Sequence, residues 1–105
     1  MFRQGDILFI EMDTEEALAV IGSNSPVERE NGHIILAYGE VTGHHHAVAE
    51  VQANLFEVDS SRILISPVPM KVVHEEHAAV ALPGGAFRVV QQVEYTPGAV
   101  RRVTD

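Results

Sequence analysis

Apolar residues occur along the chain in short runs, and turn-forming residues such as Gly, Pro, Asn and Asp separate these runs. The aliphatic residues are mainly β-branched, with 22 Val and Ile against 6 Leu. β-branched side chains lose rotamer freedom in helices and pack well on pleated surfaces, so they favour strands. Many short strands at regular spacing are typical of antiparallel architectures. The pattern therefore predicts one all-β domain over residues 1–105, a small antiparallel barrel or sandwich.

Alternation and turn signals together set the predicted strands. The first strand is apolar on both faces, which predicts a central position in a sheet. Asn31-Gly32 predicts a type I′ hairpin turn, because that turn needs positive φ at both central residues. The predicted strands are residues 6–12, 27–30, 33–38, 55–58, 62–65, 70–74, 86–95 and 99–103.

One short helix is predicted over residues 14–21, with a loop as the alternative. Asp13 or Thr14 is suited to the N-cap, and Glu15 and Glu16 suit the positive end of the helix dipole. Gly22 is suited to ending the helix, because it adopts the left-handed conformation without steric cost.

Composition and charge exclude several classes of protein. The chain has 105 residues, 46% of them hydrophobic, and no cysteine, so disulfides and thiolate metal sites are excluded. The formal charge of -8 argues against binding to nucleic acid or anionic lipid. No apolar run approaches the ~20 residues of a membrane span, and no signal-peptide pattern is visible, so we expect a cytoplasmic protein.

The acidic charge belongs to one half of the chain. Residues 1–59 contain 11 acidic and 2 basic side chains, whereas residues 60–105 contain 4 acidic and 5 basic side chains. A polarised surface of this kind favours self-association, so we expect a homo-oligomer.

Five of the six histidines fall in two short clusters, Gly43-His44-His45-His46 and His74-Glu75-Glu76-His77. In a strand, residues two apart point to the same face, so His44 and His46 form half of a metal site. A bulge or turn at Glu75-Glu76 would converge His74 and His77.

The two clusters predict a metal site with His44, His46, His74 and His77 as ligands. Glu50, Glu75 or Glu76 would serve as a further ligand or as the general acid or base. Zinc or Fe(II) suits such nitrogen and carboxylate donors, with Mn, Ni and Cu as alternatives. Metal-free acid–base catalysis and solvated histidines without site chemistry remain as alternative interpretations.

The segment at residues 39–50 resembles the first cupin motif. Its sequence is Gly39-Glu40-Val41-Thr42-Gly43-His44-His45-His46-Ala47-Val48-Ala49-Glu50. The resemblance implies a small β-barrel, His44 and His46 as paired ligands, and Glu50 as the carboxylate ligand. No histidine follows the Pro83-Gly84-Gly85 turn, where the second cupin motif places one. The wider pattern, including G-E-V-T-G-H-x-H and H-E-E-H, is similar to small bacterial and phage proteins and implies no particular activity.

The sequence thus predicts a divalent-metal-binding protein. As an enzyme it would be a metal-dependent hydrolase or a cupin-like enzyme that activates water or polarises a small-molecule substrate. The alternative is an acidic protein-interaction or assembly module whose metal, if any, is structural.

Overall fold

The computed structural model describes residues 1–38, 44–96 and 99–102, with side chains as far as residue 92. Eleven strands and one helix are formed within these residues. The elements are β1 (Phe2–Gln4), β2 (Ile7–Met12), α1 (Thr14–Ile21), β3 (Ile34–Tyr38), β4 (His45–Val48), β5 (Asn54–Val58), β6 (Ser61–Ser66), β7 (Met70–Val73), β8 (Val80–Leu82), β9 (Gly85–Gln91), β10 (Val93–Thr96) and β11 (Ala99–Arg102).

Most strands belong to two antiparallel sheets. The first sheet has five strands in the order β1-β2-β9-β6-β5, and β2 lies between β1 and β9 as its apolar sequence predicts. The second sheet has four strands in the order β3-β4-β7-β8. Strands β10 and β11 form a separate antiparallel pair.

The two sheets pack face to face over one hydrophobic core. The five-stranded sheet contributes fully buried residues such as Phe9 and Phe87, and the four-stranded sheet contributes Leu36 and Val72 to the same cluster. This arrangement confirms the all-β prediction and selects its sandwich form, because the described strands do not close into a barrel.

The helix α1 covers the outer face of the five-stranded sheet. Its buried residues Ala17 and Ile21 contact Ile63 and Ala86, which point away from the main core. The helix has the predicted bounds and ends at Gly22, whose φ is 55°. Within the described residues, α1 is the helix that forms, and it lacks the length and apolar character that crossing a membrane requires.

The predicted strand at residues 27–30 does not form. Only one bridge, between Glu30 and His33, remains around the Asn31-Gly32 turn. The physical reason is a competing partner, because the N–H of Val27 donates to the carbonyl of Leu55 in the other sheet.

The predicted strand at residues 86–95 is interrupted, and three further strands lie outside the predicted ranges. The N–H of Gln92 donates to the carbonyl oxygen of Asp6 at 2.9 Å, and the strand divides there into β9 and β10. The added strands are β1, β4 and β8, and β4 lies where the spacing of His44 and His46 assumed a strand. The first of them precedes a turn at Gly5 (φ 57°) and brings the N-terminus to the edge of the five-stranded sheet.

Candidate metal centre

Four histidine rings meet where β4 lies beside the turn between β7 and β8. The ring centroids of His46 and His74 are 4.4 Å apart, and those of His74 and His77 are 4.7 Å apart. The His44–His74 and His46–His77 centroid distances are both 6.0 Å. We call these four residues the histidine cluster.

Local geometry explains why these rings converge. His44 and His46 are two residues apart at the start of β4, so both approach His74, whereas the ring of His45 lies 6.2 Å from that of Tyr38. The chain bends at residues 75–77 before β8 begins, which turns His77 back towards His74. Both features follow the sequence prediction.

The histidine cluster extends from the protein interior to the surface. His46 is fully buried and His74 is 9% exposed. His77 is half-buried, and the side chain of His44 is 25% exposed. A small ligand would therefore approach from the side of His44 and His77.

Gln4, at the end of β1, connects the first sheet to the histidine cluster. Its amide nitrogen donates to the carbonyl oxygens of Val72 and Ala78, each at 3.0 Å. Carbonyl oxygens only accept, so these bonds set the orientation of the amide. Its oxygen lies 2.8 Å from His46 Nδ1, which must therefore be the donor. A neutral His46 ring then has its lone pair on Nε2.

Asp6 places a buried carboxylate beside His46 Nε2. The residue is 1% exposed, and its Oδ2 accepts a hydrogen bond from Gln91 Nε2 at 2.8 Å. Its Oδ1 lies 3.4 Å from His46 Nε2 and accepts no hydrogen bond within the described part of the chain. Sequence reasoning missed both Gln4 and Asp6, which lie directly before the apolar run of residues 7–10.

The two histidines of the β7–β8 turn differ in their hydrogen bonds. His74 Nδ1 accepts the N–H of Glu76 at 3.0 Å, so a neutral His74 carries its proton on Nε2. His77 Nε2 is buried and has no hydrogen-bond partner among the described residues. His77 is therefore the better metal donor of the pair in this arrangement.

The three glutamates predicted as catalytic lie in different places. Glu76 is the nearest, with Oε1 3.6 Å from His44 Nδ1. Glu75 instead accepts the N–H of His45 at 2.7 Å, and this hydrogen bond lowers the pKa of the Glu75 carboxyl group. It lines a separate cavity of about 410 Å³ on the outer face of the four-stranded sheet.

Glu50 does not join the histidine cluster through any contact that the structure gives it. Its carboxylate accepts the N–H of Gln52 at 2.9 Å in the turn after β4. Its side chain also lines a groove with Met70 and Lys71.

The imidazole nitrogens and carboxylate oxygens of this site lie close together, but they do not surround one common point. Across the described residues, no group of three or more His, Asp or Glu side chains is arranged to hold a metal ion. The cluster places imidazole rings beside a carboxylate, and such donor types suit zinc and other divalent first-row metals.

The fold and the site define a small all-β sandwich with a buried cluster of histidine, aspartate and glutamine. The chain belongs to the family described as domain of unknown function DUF8820, whose model matches residues 3–92. The matched range includes Gln4, Asp6 and the whole histidine cluster. No curated protein and no solved structure gives a significant match.

Proposed function

We propose that this protein binds a divalent metal ion at the histidine cluster. The observation that carries the proposal is the convergence of four imidazole rings, at centroid distances of 4.4–6.0 Å, in a largely buried place. Buried polar groups are costly unless they are paired or coordinate a metal. Neutral imidazole is also the commonest protein ligand of transition metals.

The hydrogen bonds favour some ligands over others. His77 can offer Nε2, which is buried and has no hydrogen-bond partner among the described residues. His74 must either release the N–H of Glu76 or rotate its ring before Nε2 becomes a ligand atom. We therefore expect binding to be accompanied by movement of the β7–β8 turn. Zinc and Fe(II) are the metals that we favour.

A bound divalent metal supplies a Lewis acid and lowers the pKa of its water ligand. The surface end of the cluster supplies the groups that would hold and move a proton. Glu76 Oε1 lies 3.6 Å from His44 Nδ1, and both side chains are partly exposed, so a small substrate could reach them. This arrangement supports a metal-dependent hydrolase as the enzyme class. Cytoplasmic location and self-association stay predictions.

The test compares two double variants of protein purified without a tag. His44→Gln with His77→Gln removes two histidines of the cluster, and the control, His33→Gln with His45→Gln, removes two outside it. At a metal concentration of 100 times Kd, the wild type should gain about 2.7 kcal/mol of stability. For a domain of this size, that corresponds to a rise in Tm of at least about 10 °C.

The cluster variant should lose most of this gain and the control variant should keep it. Elemental analysis should find close to one metal ion per chain in the wild type. The proposal is wrong if zinc, Fe(II), Mn and Ni all leave Tm unchanged, or if both double variants lose the same amount.

A second candidate function, protein interaction, is favoured by a groove beside α1. The groove has a volume of about 350 Å³ and is lined by apolar side chains including Leu18 and Phe56. Leu18 is 55% exposed, and Glu15 and Glu16 lie in the same helix. An apolar groove beside acidic residues suits a basic amphipathic segment. Leu18→Gln should weaken binding of such a peptide, whereas Val51→Gln, at an 83% exposed position outside the groove, should not.

A further inference from the structure

We propose that Asn31 is a site of spontaneous deamidation, in which the main-chain nitrogen of Gly32 attacks the Asn31 side chain and ammonia leaves. Both residues are exposed, and neither reacting group has a hydrogen-bond partner within the described residues. The inference goes beyond the proposed metal-binding function and is independent of it. Water, which supplies hydroxide and hydrolyses the intermediate, is the co-reactant.

The residue that follows each asparagine distinguishes Asn31 from the other two. Asn31 is followed by glycine, whereas Asn24 is followed by serine and Asn54 by leucine. Glycine has no side chain, so its nitrogen is open to approach and its backbone rotates freely. A serine or leucine side chain crowds the same nitrogen. Ring closure therefore meets its lowest steric barrier at Asn31.

Hydrogen bonding separates the same three side chains. The Asn24 amide nitrogen donates to a carbonyl oxygen at the end of α1 at 2.8 Å, and Asn54 lies in β5, where it pairs with β6. In the described part of the chain, the Asn31 side chain makes no hydrogen bond and the Gly32 N–H has no acceptor. These two groups therefore give up no contact of their own when they react.

The turn must open before the ring can close. Asn31 has φ 52° and Gly32 has φ 80°, as a type I′ turn requires, and attack needs rotation of the chain out of this conformation. Among the described residues, the hairpin has one bridge, formed by hydrogen bonds of 2.8 and 3.0 Å between Glu30 and His33. Side-chain bonds from Arg29 to the Gly32 carbonyl and from His33 to the Asn31 carbonyl add to it. Exposed segments with few contacts open locally at much less than the global free energy of unfolding, so we expect reaction in the folded protein.

The reaction proceeds in two steps. Hydroxide removes the proton of the Gly32 nitrogen, which then attacks Asn31 Cγ. The N–Cγ bond forms as the Cγ–Nδ2 bond breaks, and Nδ2 takes a proton from water and leaves as ammonia. This step gives a cyclic imide. Water then adds to one of the two imide carbonyl carbons and gives either aspartate or isoaspartate at position 31.

The products change the cavity on the outer face of the four-stranded sheet. Asn31 lines this cavity of about 410 Å³ together with Glu30 and Glu75. Either product adds a carboxylate beside these two and one negative charge to the formal charge of -8. Isoaspartate also lengthens the main chain by one carbon, which a two-residue turn does not accommodate. We therefore expect that product to lose the bridge between Glu30 and His33.

Peptide mapping by mass spectrometry tests the inference on the wild-type chain. Protein without a tag is incubated at mildly alkaline pH, and fragmentation that distinguishes aspartate from isoaspartate identifies the products. Both should accumulate at position 31, with ammonia released towards one molecule per chain. Asn24 and Asn54 should convert at least about tenfold more slowly, which corresponds to a barrier difference of about 1.4 kcal/mol.

Two variants form a matched pair. Asn31→Gly removes the reacting amide and keeps the turn, because Gly-Gly also suits type I′, and it should abolish the release of ammonia. Asn54→Thr removes a different amide at an exposed strand position, where threonine is favoured, and should leave the release unchanged. Ammonia release from Asn31→Gly at the wild-type rate would overturn the inference.

The unfolded chain supplies the reference rate. In guanidinium chloride, Asn31 is no longer held in the turn and should convert faster than in the folded protein. If the folded protein keeps Asn31 intact while the unfolded chain converts it, the turn does not open and the inference is wrong. Equal conversion of all three asparagines in the folded protein would also refute it. Neither result bears on the metal-binding proposal, since no residue of the histidine cluster takes part.

Discussion

Replacing Gln4 by Met tests whether one buried amide holds the candidate site together. Gln4 is 2% exposed and makes three hydrogen bonds, to Val72, Ala78 and His46. Methionine has a similar length and fills similar volume, but it offers no donor and only a weak acceptor. The substitution therefore removes the polar contacts and leaves the packing largely intact.

The expected loss of stability follows from these three contacts. A typical hydrogen bond contributes about 1 kcal/mol net, and each buried group left without a partner costs about 1–3 kcal/mol. The hydrophobic gain from the methionine side chain offsets part of this cost. We expect Gln4→Met to lower the free energy of unfolding by about 2–4 kcal/mol, which corresponds to a fall in Tm of roughly 10–20 °C.

Urea denaturation followed by circular dichroism measures the effect. The midpoint should fall while the m-value stays constant, because the surface exposed on unfolding is unchanged. Gln52→Met, at an exposed position, is the control and should change stability by less than about 0.5 kcal/mol. A loss of under 1 kcal/mol for Gln4→Met would refute the reasoning about the buried amide.

The same variant has a readout that a purely structural role would not affect. In the wild type, the imidazole nitrogen shifts of His46 should report a proton on Nδ1, and the Gln4→Met ring should show a mixture of tautomers. Zinc affinity should fall about 10–100-fold. An unchanged nitrogen spectrum would contradict the hydrogen bond from His46 Nδ1 to the Gln4 amide oxygen.

Two further predictions concern the hairpin turn and its neighbours. The Glu30 carboxylate accepts a hydrogen bond from the Tyr38 hydroxyl, and this contact raises the pKa of Tyr38. The contact therefore stabilises the folded protein at pH values below the tyrosine pKa of the unfolded chain. This stabilisation is lost as the pH rises through the higher pKa that Tyr38 has in the folded protein. In a Tyr95→Phe background, Glu30→Gln should lower the pKa of Tyr38 in an absorbance titration, and an unchanged pKa would exclude the contact. Gly32 has φ 80° with no atom crowding its Cβ position, so Gly32→Ala should cost about 1 kcal/mol of stability from backbone strain alone; an unchanged Tm would contradict the turn geometry.

Individual residues show how far local sequence determines this fold. The helix bounds at Thr14 and Ile21 were predictable because an acidic first turn and a following glycine are local signals. The turn at Asn31-Gly32 was equally predictable, but the strand predicted before it, at residues 27–30, does not form. The N–H of Val27 donates to the carbonyl oxygen of Leu55 in the five-stranded sheet instead of pairing within the hairpin. The periodicity of a short segment does not show that a distant strand competes for its hydrogen bonds.

The candidate site also has features that the sequence predicted and features that it did not predict. Sequence spacing predicted that His44 and His46 share a side and that a bend joins His74 with His77, because both relations act over two or three residues. The cupin resemblance pointed to Glu50 as the carboxylate partner. In the structure, Asp6 faces His46, and Glu50 is bonded within its own turn.

The sequence by itself determined the all-β class, the short helix and the two groups of histidines. These follow from side-chain branching, turn chemistry and near-neighbour spacing, which are properties of short segments. Only the tertiary structure decided that Gln4 and Asp6 contact a histidine about forty residues away. That contact depends on β1 and β2 lying at the side of the sandwich where β7 ends. The order of strands in a sheet results from long-range packing, for which a single segment carries no signal.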